Sequence, residues 1–229
     1  GNNASSVTVT GNDTGGAPAV WDEVITIGTG AGSVNISGAI SRDETISVGS
    51  TSGTITVSMA VGRNELITIG DGSTLNVSGS VGNNQTINFG KNDTINVSTT
   101  PVGGTQTITP TVAGDGDNAK ITVTSASVGA LVLNAGLNAN VQVLNLTSTN
   151  DSVNVTVGAN AVQVVVDNVV ANSGAINIAT GNGAAFIQLT DSSAQAMTVI
   201  EAAGAGDTFF WLQSLTVNGG GLALQGGDG

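Results

Sequence analysis

Carboxylates are the only side chains here that recur at a spacing fit for chemistry. Glu23, Glu44 and Glu65 are followed by Gln85 and Gln106, each 20 or 21 residues after the last. Asp22, Asp43, Asn64 and Asn84 stand one residue before the first four of them. A second set lies in Gly-Asp segments: Gly90-Lys91-Asn92-Asp93, Gly114-Asp115-Gly116-Asp117 and Gly204-Ala205-Gly206-Asp207. Carboxylate oxygens at glycine turns suit a hard cation such as Ca²⁺. Asp115, Asp117 and Asp207 are therefore the candidate metal ligands. The Glu set reads differently. Stacked carboxylates about 5 Å apart repel, and either Arg42 and Arg63 or a bound Ca²⁺ could offset the repulsion. The change to Gln85 and Gln106 favours a structural, hydrogen-bonded stack.

The missing residues exclude more than the present ones suggest. The chain has no Cys, His or Tyr, so thiol, imidazole and disulfide chemistry are closed to it. Lys91 and Lys120 have no nucleophile motif beside them, and no catalysis is expected. Sixteen acids against four bases give a net charge of −12, and all four bases precede residue 121. A phosphate backbone needs clustered Lys and Arg, so nucleic acid is not an expected partner, and an anionic membrane surface is disfavoured likewise. Aliphatic runs such as Val164-Val165-Val166 are far short of the roughly 20 residues that span a bilayer. The chain opens on Gly without a signal-peptide pattern, as expected either of a processed mature chain or of a piece of a longer one.

The carboxylates are positioned by a repeat. Ile25, Ile46, Ile67, Ile87 and Ile108 form one column at the same spacing as the Glu set, and Ile36, Val57, Val77, Val97 and Val123 form another. Each unit has an alternating segment (Ile46, Val48), a glycine (Gly49), a second alternating segment (Ile55, Val57), a lone aliphatic (Val61) and a polar corner. Alternation of period two means strand. Two or three short strands per unit cannot bury their apolar faces alone, whereas stacked units can. The expectation is an all-β, parallel β-solenoid of about ten coils with 20–24 residues each, forming one domain over 1–229. Coils over 1–130 repeat near 21 residues. Those over 131–229 repeat near 23, marked by Val153, Ile176, Val199 and Leu222. A β-sandwich would explain the alternation but not the period.

The Gly-Asp segments resemble the calcium-binding nonapeptide repeats of RTX proteins, although no two copies are adjacent here. Gly, Asn, Ser and Thr make up nearly half the chain. That composition resembles bacterial and archaeal cell-surface proteins of the S-layer and adhesin type. The resemblance implies an extracellular scaffold or attachment role with calcium as a stabiliser. Asn-X-Ser/Thr sequons are frequent, because strand alternation places Asn and Ser on either side of an inward residue, as in Asn35-Ile36-Ser37. Attached glycans would sit at turn sites such as Asn84 and Asn92.

The ends carry the functional expectation. A solenoid terminates in strands with unpaired edges, which recruit other chains unless capped. Val7 and Val9 at one end, and Leu222 and Leu224 at the other, belong to uncharged alternating segments. Trp21, Phe210 and Trp211 lie beside them. The expected function is a structural subunit that polymerises head to tail with itself into a surface filament or lattice. The alternatives are an adhesin segment binding carbohydrate or calcium, and an ice-binding protein presenting hydroxyl columns such as Thr54, Thr74 and Thr94.

Overall fold

The computed structural model describes residues 6–12, 22–50, 53–98, 102–112, 116–124, 127–183, 185–202 and 208–226. Those residues form strands and turns with no helix, and every strand pairing is parallel. One sheet has ten strands, running from Val7–Asn12 through Ser33–Ile40 and Thr54–Val61 to Thr208–Gln213. The other has twelve, running from Glu23–Ile27 through Glu44–Val48 and Glu65–Ile69 to Leu222–Gln225. The chain passes from one sheet to the other and back in each circuit, so each circuit adds one rung to both. This is a parallel β-solenoid, and the ten rungs of the first sheet agree closely with the coils expected.

The register is the one that the apolar columns demand. Ile25 pairs with Ile46, Ile46 with Ile67, Ile67 with Ile87 and Ile87 with Ile108. Ile36, Val57, Val77, Val97 and Val123 pair in the same manner. A slip of one residue would turn each of these side chains outward. Except for the end residue Ile25, every member is nearly or wholly shut off from solvent. Each buried aliphatic contributes about 1.5–3 kcal/mol. A third inward column runs through Val61, Val81 and Val102 to Val128.

Small residues make the tight inner turn. Ala31, Ser73, Asp93, Ala119, Ala139 and Ala161 are all buried there. At the neighbouring corner the backbone is left-handed: Gly30, Gly72, Asn92, Asn118, Asn138 and Asn160 have φ between 55° and 80°. Asn tolerates this region better than other non-glycine residues. Its amide also stacks, with Asn118 Nδ2 donating to Asn92 Oδ1 (3.1 Å) and Asn138 Nδ2 donating to Asn118 Oδ1 (3.2 Å).

One marker in the C-terminal half falls differently from expectation. Val153 pairs with Ile176, but Ile176 pairs with Met197, and Met197 with Leu222. Val199 belongs to the adjacent inward column with Ile178 and Leu224. A bulge between Ala171 and Ala175 takes up the extra residues, so a fixed 23-residue period does not track the column through this coil.

Candidate functional site

Glu23, Glu44, Glu65, Gln85 and Gln106 occupy one register position in successive rungs. They lie on strands of the second sheet and alternate with the same parity as the buried isoleucines, so the column turns inward. Glu44, Glu65, Gln85 and Gln106 are buried. Gln106 Nε2 donates to Gln85 Oε1 (2.6 Å), and Gln85 Nε2 donates to Glu65 Oε2 (2.5 Å). This is the hydrogen-bonded stack that the amide substitutions favour. Beyond Gln106 the same column continues as Leu131, Val153, Ile176 and Met197. Desolvation, and then the neighbouring Glu65 and Glu23, push Glu44 up to about 8. Burial pushes Glu65 up to about 7, opposed by the hydrogen bond from Gln85.

The arginines serve a parallel ladder just outside. Arg42 Nε lies 3.5 Å from Asp22, and Arg63 Nε lies 3.6 Å from Asp43. Asn64 donates both its backbone N–H (3.0 Å) and its Nδ2 (2.9 Å) to Asp43 Oδ1. That backbone bond is the main reason Asp43 stays below the ordinary carboxylate range. The outward position is wet enough to hold charge, and the inward one beside it is not.

The Gly-Asp segments act as turn caps where they are described. Asp93 is buried and accepts the backbone N–H groups of Ser73 and Gly90, both at 2.7 Å. Burial still pushes it up to about 6. Asp117 Oδ1 accepts the backbone N–H of Leu137 at 2.8 Å, and Asp71 Oδ1 accepts that of Lys91 at 2.8 Å. Asp115 and Asp207 lie outside the described residues. Among the described residues no group of three or more acidic side chains is placed to hold a metal ion. Asn84 and Asn92, the turn sequons, are exposed, and each is engaged through Oδ1. The hydroxyl columns are real: Thr54, Thr74 and Thr94 align, as do Thr26, Ser47, Thr68, Asn88 and Thr109.

The ends are the other candidate site. Leu222 stacks on Met197, Leu224 on Val199, Phe210 on Ile187 and Leu212 on Leu189. The four inner residues of these pairs are wholly buried. Leu222 and Leu224 are 44% and 48% exposed, although they continue the same inward columns, because no described coil follows them. At the other end Val7 and Val9 stack on Val34 and Ile36 and are only half-buried. Trp21 lies outside the described residues.

No protein-family model, curated protein or solved structure matches the chain. The reading of function therefore rests on the geometry of the column, the turns and the ends. Trp211 is not part of the exposed core section: it alternates with Phe210, points outward at 49% exposure, and donates Nε1–H to Gln213 Oε1 at 3.2 Å. Phe209 also points outward and stacks on Phe186 with ring centroids 5.5 Å apart. Sequence reasoning missed the Asn ladder of the corner. Its signal was present, since Asn92, Asn118 and Asn138 each stand two residues before a first-sheet strand.

Proposed function

We propose that the chain is a structural subunit that stacks end to end on copies of itself, forming an extracellular filament or lattice. The observation that carries this reading is the exposure of two inward side chains on the last described rung. Leu222 and Leu224 stand in columns whose inner members, Met197 and Val199, are wholly buried, yet they are nearly half exposed. In the internal described coils the same positions are covered by the next rung. Extending the columns pairs Phe210 of one copy with Val7 of the next, and Leu224 with Ile25, because these residues share register lines through the whole molecule. Two different, complementary ends make a heterologous contact, which propagates as an open fibre. The acidic, Lys-poor, Cys-free composition supports the extracellular placement.

Light scattering and negative-stain imaging of the wild type and of Leu224→Lys test the proposal. Wild-type protein is expected to form concentration-dependent linear particles, and the lysine, forced against Ile25 in the junction, to abolish them. A monodisperse monomer at high concentration for both proteins, with calcium present, overturns the reading.

A further inference from the structure

The amides of the inward column share one direction. Gln106 hands a hydrogen bond to Gln85, and Gln85 hands one to Glu65, each donating to the coil before it. At Glu65 the supply of N–H donors ends. Glu44 is 2% exposed, and neither Oε1 nor Oε2 has a hydrogen-bond partner. Glu23 Oε2 is buried and unpartnered as well, lying where only a glycine at position 11 leaves room: a Cβ there would be 2.6 Å from it.

No cation reaches the column. Among the described residues, the charged groups at this corner outside the column are Asp22, Asp43, Arg42 and Arg63, and the two arginines pair with the two aspartates on the outside. The inward side chains of the opposing first-sheet strands, Val34, Ile36, Ile40, Ile55, Val57 and Val61, are apolar. A buried carboxylate without cation or donor takes up a proton rather than remaining ionised.

We propose that this column is a proton-binding site that holds two protons, one on Glu65 and one on Glu44. The Glu65 O–H then donates to Glu44 and the Glu44 O–H to Glu23, which extends the chain begun by Gln106 and Gln85. Glu23, at the end of the column and the least buried of the three, is the last acceptor of the chain. The lesser burial of Glu23 is what selects this arrangement over its reverse, since the amide bond from Gln85 reaches Glu65 in either. The site is independent of whether the chains polymerise.

The sign of the pH dependence follows. The folded values of Glu65 and Glu44, about 7 and about 8, lie above the ordinary 4.5. The stability they contribute is therefore fully present below pH 4.5 and is lost as pH rises through both folded values.

The test is the proton inventory of unfolding at pH 6, measured calorimetrically in buffers of different ionisation enthalpy. Wild type is compared with the double variant Glu44→Gln/Glu65→Gln, whose new amides match those already accepted at 85 and 106. The wild type is expected to release about two protons more than the variant. Its folding constant should fall about 50-fold more per pH unit between pH 5 and 7. Asp93 titrates in both proteins and cancels. Infrared spectroscopy of the folded wild type should show a protonated-carboxyl band at pH 6 that the double variant reduces. Equal proton release by the two proteins overturns the proposal. So does the absence of a protonated-carboxyl band from the folded wild type, a reading that needs no variant to fold.

Discussion

Asn118 is the middle rung of the corner amide ladder, and replacing it separates the two reasons for asparagine there. Its φ is 57°, a conformation that costs an ordinary L-residue about 1–2 kcal/mol. Its side chain gives one hydrogen bond to Asn92 and takes one from Asn138. Each is solvent-exposed, so together they contribute on the order of 1 kcal/mol. Asn118→Gly loses the bonds but keeps the easy left-handed backbone, and is expected to cost about 1 kcal/mol. Asn118→Ala loses both and is expected to cost about 2–3 kcal/mol. Urea unfolding followed by circular dichroism, with unchanged slopes in the two variants, reads these differences. Alanine no worse than glycine would refute the backbone argument. Glycine as stable as wild type would show that the stacked amides contribute nothing.

Two further substitutions probe the columns and the caps. Val61→Asp buries a carboxylate in the column of Val81 and Val102 and is expected to cost several kcal/mol, whereas Ser58→Asp on the exposed face should change stability by about 0.5 kcal/mol or less. Equal shifts in melting temperature would show that the inward assignment is wrong. Asp117 caps the backbone of the next coil through Leu137 N–H, so Asp117→Asn, which keeps an acceptor oxygen, is expected to melt within a few degrees of wild type whether EDTA or calcium is present. A calcium-dependent stabilisation lost in the variant would make Asp117 a metal ligand.

Much of the core was legible because a solenoid converts sequence period directly into register. Ile46 sits on Ile67 because both stand two residues after the Glu of their unit, and no tertiary detail intervenes between that spacing and the contact. The reading failed where the chain departs from one residue per step. At Ala171–Ala175 a bulge absorbs residues without advancing the column, and nothing in the side chains of Asn172, Ser173 and Gly174 declares a bulge rather than a longer turn. The carboxylates show a subtler limit. Spacing put Glu23, Glu44 and Glu65 in one ladder, and Asp22 and Asp43 in another beside it. It could not say which faces inward, since a polar residue at a corner is ordinarily assigned to water.

The amino-acid sequence alone thus determined the period, the parallel stacking, the aliphatic columns and the exclusion of thiol and imidazole chemistry. These follow from local alternation and from which residue types are present, and both survive any rearrangement of the coils. Only the tertiary structure decided which of two adjacent acidic ladders is desolvated. That choice depends on the parity with which the chain enters the strand Glu44–Val48 after the bend at Ser41 and Arg42. That parity leaves Asp43 outside, where Arg63 and the Asn64 N–H reach it, and sends Glu44 among isoleucines where no cation follows. The exposure of Leu222 and Leu224 was decided there too. Whether an inward side chain is covered is a property of the next rung along the axis and not of the strand that carries it.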